Sequence, residues 1–427
     1  MFRRLLLTVF AVVLALSVIG IAATGVSAQD PLKIGLMNDR TGALQQYGKE
    51  LHHGFMLGLM YATGGTMEVA GRPIEVLERD NAGQPPLGAS QAREVIERDG
   101  AEILVGAPSS GVALQLQQVA EELGVILMAG PSASPTITST NFMMNTFRVC
   151  RNSFQDALTL ARVAPSLGVT RVAIFAADYD FGRGTAAAFQ ASYGAAGLEV
   201  LEPLFAPLDT TDFTPYIDQI LASGADALQP IWAGDNSVAL YNQLAERQVR
   251  NSMIVIEAMN SNPIVQAAFS ASQVDSIGYM VYHYTLPDTE INDWLVENHL
   301  STFDGEYPDL FTECGFATAQ ALVAGLEATG GDTEPETLIA ALEGLTFDGP
   351  RGMYWIRPAD HQAMMPMYIV RLTNNTDPEF RFYELVQEVP ASQVIPPCVL
   401  PEAYLDRCAD PDLTTPPDAL MEAEAGG

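Results

Sequence analysis

Basic residues are scarce in this sequence, and their shortage determines its charge. Of 427 residues, 21 are lysine or arginine and 52 are aspartate or glutamate, so the formal net charge is −31. A chain this negative repels phosphate backbones and anionic headgroups, which argues against nucleic-acid binding. Hydrophobic residues make up 48% of the chain, and this apolar content excludes general disorder. The length favours two domains, or three.

Motifs of the common enzyme and metal sites are also lacking. The sequence has no Gly-x-Ser-x-Gly, no Walker-type loop and no His-Glu-x-x-His spacing, and its five histidines form no cluster with cysteine. Asp180-Phe181-Gly182 spells a kinase triplet, but no nucleotide-binding loop accompanies it. We therefore expect a protein that is not an enzyme and that holds neither a metal nor a cofactor.

Long apolar runs are missing except at the amino terminus. Arg3 and Arg4 precede an apolar stretch over 5–23, and Val26-Ser27-Ala28 offers small residues before a polar continuation. This pattern predicts a signal peptide over residues 1–28, with an uncleaved membrane anchor as the alternative. The mature protein is expected outside the cytoplasmic membrane, in the periplasm or beyond it.

Only four cysteines occur, and their number suits an oxidising compartment. Cys398 and Cys408 are ten residues apart, a spacing that closes a small loop easily. Cys150 and Cys314 would then pair across a long separation. This is one of three possible pairings, and buried free thiols are the alternative.

Short apolar strands alternate with amphipathic helices over 32–128, and the alternation restarts over 154–256. This rhythm predicts α/β architecture with parallel sheets covered by helices on both faces, arranged as two similar lobes. Ligands of such sheets bind beyond the carboxyl ends of the strands, so the loops of two facing lobes would line one cleft. A Pro-rich acidic tail over 401–427 is expected to be partly disordered.

The loops after the predicted strands differ between the two halves. The first half offers hydroxyl residues near helix starts, at Ser109, Ser110, Ser132 and Ser134, where free N–H groups favour an anion. The second half offers Phe181, Trp232 and Glu257. This division suits a zwitterion whose carboxylate meets the serines and whose ammonium meets Glu257 and the rings.

Several short motifs, in their order and spacing, resemble the extracytoplasmic solute-binding proteins of branched-chain amino acid ABC transporters. The resemblance covers nearly all of residues 31–390 and rests on Thr41-Gly42 with Tyr47-Gly48, Ser109-Ser110, Pro131-Ser132-Ala133-Ser134, Phe181-Gly182-Arg183-Gly184 and Ala359-Asp360-His361-Gln362. It implies a type I periplasmic-binding fold with two doubly wound parallel-sheet lobes and a three-crossover hinge. The implied ranges are 29–148 with 280–350 for the first lobe, and 149–279 with 351–400 for the second.

The resemblance also implies roles for single residues. Ser109 and Ser110 fall where the family binds the ligand's α-carboxylate, and Ser134 falls on a hydroxyl residue that assists. Tyr47, Phe181 and Trp232 fall on or near rings of the pocket, and Glu257 falls near the carboxylate that takes the ammonium. The competing interpretations are helix caps for the serines, core packing for the rings and a solvated charge for Glu257.

The expected function is therefore an extracytoplasmic receptor. It would capture a small amino acid or related carboxylate by hinge closure and deliver it to the membrane permease of an ABC importer. The alternative is a ligand-sensing module for a membrane signalling receptor, which would use the same two lobes. A secreted enzyme on this scaffold would need a nucleophile and base that the sequence does not offer.

Overall fold

The alternating strands and helices fold into two lobes in the computed structural model, which describes residues 30–269 and 273–426. The predicted signal peptide lies outside the described residues. None of the described helices is both long and apolar enough to cross a membrane.

The first lobe begins with six strands. They are β1 (Leu32–Asn38), β2 (Glu68–Val69), β3 (Arg72–Asp80), β4 (Ile103–Gly106), β5 (Ile126–Met128) and β6 (Thr146–Phe147). They form one sheet in the order β2-β3-β1-β4-β5-β6, in which all neighbours are parallel except the short β2 beside β3. The carboxyl ends of the parallel strands therefore share one edge.

Helices cover both faces of this sheet. The first three are α1 (Gln45–Ala62), α2 (Pro85–Glu97) and α3 (Ser110–Leu123). Along β4 the side chains alternate: Ile103 and Val105 join the cluster that contains Phe55 of α1, whereas Leu104 joins the cluster that contains Val112 of α3. The continuous apolar strands are explained by this two-sided burial.

The second lobe repeats the plan. Its strands are β7 (Arg171–Ala177), β8 (Glu199–Val200), β9 (Leu204–Ala206), β10 (Ala227–Ile231), β11 (Ile254–Val255), β12 (Glu257–Ala258) and β13 (Ile277–Met280). Strand β7 pairs in parallel with β8, β9 and β10, and β10 pairs in parallel with β11. Its helices are α4 (Ser153–Ala161), α5 (Asp180–Ala195), α6 (Thr214–Leu221), α7 (Ser237–Glu246) and α8 (Asn262–Ala268).

The chain then returns to the first lobe and crosses once more. The returning elements are α9 (Glu290–Thr302), α10 (Thr312–Ala328), α11 (Pro335–Leu342), β14 (Thr346–Gly349), β15 (Gly352–Ile356) and β16 (Ala363–Met364). Strands β17 (Met367–Leu372) and β18 (Tyr383–Val389) complete the second lobe, where β17 pairs antiparallel with both β13 and β18. With the crossings near 150 and 285, this makes three passages between lobes, and the predicted α/β fold class with two parallel-sheet lobes is confirmed.

The hairpin formed by β14 and β15 belongs with the first lobe. Tyr354 and Ile356 are fully buried in the same cluster as Leu322 of α10 and Leu338 of α11. The expected lobe boundary at residue 350 therefore cuts through a hairpin whose apolar side chains pack on the first lobe. Sequence periodicity does not show which of two neighbouring cores a hairpin joins.

The described residues of the tail are ordered into short helices, whereas the sequence analysis expects partial disorder there. It contains the short helices α12 (Leu405–Ala409), α13 (Pro411–Thr414) and α14 (Asp418–Gly426). Leu420 is 1% exposed and packs in a cluster with Trp355 and Met364. The backbone oxygen of Ala359 accepts a 3.0 Å hydrogen bond from Arg407 Nε. One buried leucine and an anchored arginine thus hold an otherwise acidic segment against β15 and β16.

Both expected disulfides are present. Cys150 pairs with Cys314 at a Cα–Cα distance of 5.1 Å, and Cys398 pairs with Cys408 at 5.5 Å. The first bond joins the segment after β6 to α10, beside the first crossover between lobes. The second closes a ten-residue loop at the base of the tail.

Candidate functional site

Loops at the carboxyl ends of the strands enclose a cleft between the lobes, with about 540 Å³ of unfilled space that is partly open to solvent. First-lobe residues reach it from the loops after β4, β5 and β6, and second-lobe residues from the loops after β7, β10 and β12. The lining residues are Leu44, Tyr47, Pro108, Pro131, Ala133, Arg151, Tyr179, Phe181, Trp232, Ala233, Ala258, Met259, Asn260, Tyr279, Val281, Leu310 and Phe311. Parallel-sheet topology explains why residues so distant in sequence meet there.

Three of the predicted site residues come together in this cleft. Tyr47 of α1, Phe181 at the start of α5 and Trp232 directly after β10 all line it. Trp232 is held in place because its Nε1 donates to Asn236 Oδ1 at 2.9 Å and its ring stacks on Phe175 at a centroid distance of 5.5 Å. Trp232 is therefore held in the cleft wall by contacts within the second lobe.

The predicted serines lie behind the wall of the cleft. Ser109 is the N-cap of α3, where its Oγ accepts from the N–H of Val112 at 3.5 Å. Ser110 Oγ accepts from the N–H of Ser134 at 3.2 Å. All four predicted serines are 4% exposed or less, and Ser132 Oγ has no hydrogen-bond partner among the described residues. Pro108, Pro131 and Ala133 of the same loops reach the cleft itself.

A buried arginine holds the Ser132–Ser134 loop. Arg148 Nη1 donates to the backbone oxygens of Ser134 at 2.7 Å and Ser132 at 3.2 Å, and its Nε donates to Gln362 Oε1 at 2.7 Å. These acceptors are neutral, and no ion pair to Arg148 occurs within the described ranges. Burial lowers the pKa of Arg148 to about 9, so the group stays charged at neutral pH. A positive charge thus lies behind the first-lobe wall.

A second arginine lies in the cleft wall. The side chain of Arg151 is 5% exposed, and its guanidinium carbon lies 5.3 Å from the centre of the Phe311 ring. Nε is 3.3 Å from Asp156 Oδ1, an ion-pair distance without hydrogen-bond geometry. Neither Nε nor Nη1 donates to any described residue. Buried N–H groups without acceptors are rare in folded proteins, and a ligand carboxylate would satisfy them.

The carboxyl of Asp156 balances part of this charge. It is fully buried, and burial raises its pKa, an effect that the charges of Arg151 and Arg351 oppose. Glu313, also buried, lies 3.6 Å from Arg351. Arg148, Arg151 and Arg351 thus lie near the carboxyl groups of Asp156, Glu313 and Asp360. Arg151 is the member of this group that lines the cleft.

The structure does not bring Glu257 to the cleft. Its side chain is fully buried on the other side of β12, where its Oε1 accepts from Arg250 Nη2. It lines a separate cavity with Tyr241 and Arg250. Successive side chains of a strand point to opposite faces, so Ala258, the next residue, is the one that lines the cleft. The predicted ammonium contact of Glu257 has no support in this geometry.

Hydrogen bonds across the cleft hold the lobes together. Tyr47 Oη donates to Asn260 Oδ1 at 2.9 Å and accepts from the N–H of Gly234 at 3.2 Å. Ser261 Oγ donates to Glu50 Oε1 at 2.7 Å. In each of these bonds, one partner belongs to α1 and the other to a strand-end loop of the second lobe. The lobes are thus in contact around the cleft.

Five lining residues with polar or aromatic side chains are not among the predicted site residues: Arg151, Tyr179, Asn260, Tyr279 and Phe311. Arg151 follows β6 at the first crossover, so the strand-end rule would have found it if the two-residue β6 had been recognised. Tyr279 lies within β13 and Phe311 directly precedes α10, so neither follows the end of a strand and the strand-end rule does not point to them.

A family model and the curated relatives of this chain both point to periplasmic binding proteins. A family model described as "Periplasmic binding protein" matches residues 31–377. The Leu/Ile/Val-binding protein homolog 6 of Brucella melitensis is 24% identical over 369 residues, which cover 85% of this chain and 93% of that protein.

Solved structures of ABC transporter proteins are similar to this chain in fold. An ABC-type branched-chain amino acid transporter protein of Rhodopseudomonas palustris has a TM-score of 0.71 and 33% identity, covering 87% of this chain and 100% of that one. Another solute-binding protein of R. palustris, in complex with benzoate, has a TM-score of 0.74 and 22% identity, covering 88% and 99%.

Proposed function

This chain belongs to the periplasmic binding protein family, and we propose from that premise that it is an exported receptor for a small amino acid or related carboxylate. The ligand enters between the lobes, hinge closure buries it, and the closed protein presents both lobes to the permease of an ABC importer. The observation that carries the proposal is Arg151, a buried guanidinium in the cleft wall. Its Nη1 has no acceptor among the described residues, and its Nε meets Asp156 only at an ion-pair distance of 3.3 Å.

The charges around the cleft support an anionic ligand. Arg148 is charged and lies behind the Ser132–Ser134 loop without a carboxylate partner, and Arg151 is only partly balanced by Asp156. The relatives point to the same chemical group, because leucine, isoleucine and valine, named for the Brucella protein, and benzoate, bound by the R. palustris protein, all contain a carboxylate. A carboxylate is therefore the feature that the ligand is expected to have.

The test is a binding assay on full-length mature protein from which bound ligand has been stripped by unfolding and refolding. Tryptophan fluorescence and melting temperature would be recorded against amino acids and small carboxylates, because Trp232 lies in the cleft wall. Arg151→Met should weaken carboxylate binding about 10- to 150-fold, as expected for the loss of a hydrogen bond to a charged group at ~1.5–3 kcal/mol.

Arg151→Lys is the matched control, since it keeps the charge but loses the planar guanidinium. Its affinity for the carboxylate should lie between those of the unmodified protein and Arg151→Met. A refolded protein that responds to no carboxylate would contradict the proposal, and so would an Arg151→Met variant with unchanged affinity. Delivery to an importer would be tested separately, by ATP-dependent uptake with the permease and ATPase encoded beside the gene. A neighbouring sensor kinase or chemoreceptor would favour sensing instead.

A further inference from the structure

The cleft offers a charged partner for a carboxylate and no charged partner for an ammonium group. Among the described residues that line it, Arg151 is the only charged side chain, and no aspartate or glutamate is present. An amino-acid ligand would bring both a carboxylate and an ammonium into this space. Burying a charge without a counter-charge is unfavourable because the lost hydration is not replaced.

Carboxylates near the rim are already engaged elsewhere. Asp235 Oδ2 accepts from Gln45 Nε2 at 2.7 Å, in a bond that joins the lobes. Asp178 Oδ1 accepts from Arg183 Nε at 2.6 Å within its own turn. Glu257 lies beyond β12 and pairs with Arg250. Each would have to abandon a partner in order to reach the ligand.

Two further carboxyl groups lie behind the walls and are also engaged. Asp39 is fully buried and accepts from the backbone N–H groups of Gly83 at 3.1 Å and Ser109 at 3.0 Å. Asp156 is the ion-pair partner of Arg151 at 3.3 Å, and neither of its buried oxygens has a hydrogen bond of full geometry among the described residues. Neither side chain lines the cleft.

Aromatic rings form much of the remaining wall. Six of the lining residues are aromatic: Tyr47, Tyr179, Phe181, Trp232, Tyr279 and Phe311. Tyr47 meets Phe311 edge to face, with 4.8 Å between centroids and 88° between planes. Aromatic pairs favour offset or edge-to-face geometry, so a ligand ring can add to this arrangement from within the cleft.

We propose, on the basis of the function proposed above, that the ligand is a carboxylate with an aromatic ring and no ammonium group. Its carboxylate pairs with the Arg151 guanidinium, and its ring packs among the aromatic side chains that line the cleft. An amino acid would bring an ammonium group into the cleft, and no carboxylate among the described lining residues would balance its charge. For this reason we favour a carboxylate without an ammonium group over an amino acid.

The test uses matched probes on the unmodified full-length protein. 3-Phenylpropanoate and L-phenylalanine differ only in the α-amino group, and 3-phenylpropanoate and 4-methylpentanoate differ in the ring. Calorimetry should give a dissociation constant at least 10-fold lower for 3-phenylpropanoate than for either of the other two. Equal or tighter binding of L-phenylalanine would contradict the inference that the ligand has no ammonium group. Equal or tighter binding of 4-methylpentanoate would contradict the inference that the ligand has an aromatic ring.

These outcomes differ from a failure of the proposed function, in which no carboxylate of any kind binds. Glu257→Gln supplies an internal control, because an amide oxygen still accepts from Arg250 while the charge is removed. The ratio of the dissociation constants of 3-phenylpropanoate and L-phenylalanine should stay within 2-fold of the unmodified protein. A selective loss of L-phenylalanine binding would assign the ammonium to Glu257 and overturn the inference. The probe comparison on unmodified protein stands even if this variant does not fold.

Discussion

Replacing Gly234 with alanine should block lobe closure without touching the ligand. Gly234 lies in the loop after β10 with a φ of +92°, and a Cβ there would be 2.4 Å from the backbone oxygen of Ala43 in the first lobe. Contacts below 3.0 Å are essentially never seen for a real Cβ. The lobes would therefore have to separate, or the loop would have to deform, before the closed arrangement could form.

The magnitude follows from the contacts that would be lost. The same Ala43 oxygen accepts from the N–H of Asp235 at 3.0 Å, across the lobe boundary. Overpacking costs about 1–3 kcal/mol, and the lost hydrogen bond adds about 0.5–1.5 kcal/mol. Together these give about 1.5–4.5 kcal/mol, or about 10- to 2,000-fold weaker binding of whichever carboxylate the panel identifies.

Gly197→Ala is the matched control for this experiment. Gly197 is in the second lobe with a φ of +86°, and a Cβ there would meet nothing within 4 Å. Both variants carry the strain of an alanine at positive φ, so both should lower the melting temperature by a similar amount. Only Gly234→Ala should raise the dissociation constant measured by calorimetry. Unchanged affinity in Gly234→Ala, or an equal loss in Gly197→Ala, would refute the closure argument.

Two further predictions concern stability. Serine replacement of Cys150 and Cys314, which are 164 residues apart, should lower the free energy of unfolding in urea more than replacement of Cys398 and Cys408, which are 10 apart. The loop-entropy relation gives losses of about 5 and about 3 kcal/mol, respectively. Equal losses for the two pairs would contradict this prediction. Burial raises the pKa of Asp39 from 3.8 to about 7, so its carboxyl binds a proton more tightly in the folded than in the unfolded protein. Its contribution to stability is then complete below pH 3.8 and is lost as the pH rises through 7. Asp39→Asn should flatten the fall in unfolding free energy over that interval by up to ~4 kcal/mol, and parallel pH profiles for the variant and the unmodified protein would contradict this.

The elements that carry their own periodicity were predictable. The alternation of strands and helices predicted over 32–128 and 154–256 is present in the structure, from β1 to β5 and from α4 to β11. The two-residue strands β2, β6, β12 and β16 were not predicted from the sequence. A strand this short shows no periodicity, and it forms only because it pairs with a neighbouring strand. The missed β6 mattered most, since Arg151 follows it.

The candidate site was predictable in part. Phe181 and Trp232 follow from the rule that the ends of parallel strands line the cleft, Tyr47 follows from the family resemblance, and all three line the cleft in the structure. The rule does not say which of two successive residues faces the cleft. At β12 that choice separates Ala258, in the cleft, from Glu257, buried against Arg250.

The sequence by itself determined the acidic charge, the alternation of strands and helices, and with these the class of a two-lobed α/β protein. Each of these depends on local composition or on spacing along the chain, which can be read without coordinates. The tertiary structure alone decided the charge of the cleft. Arg151 packs on Phe311, and the charge of Arg351 acts on Asp156, although these residues are distant in sequence. Whether a buried charge is satisfied depends on such neighbours.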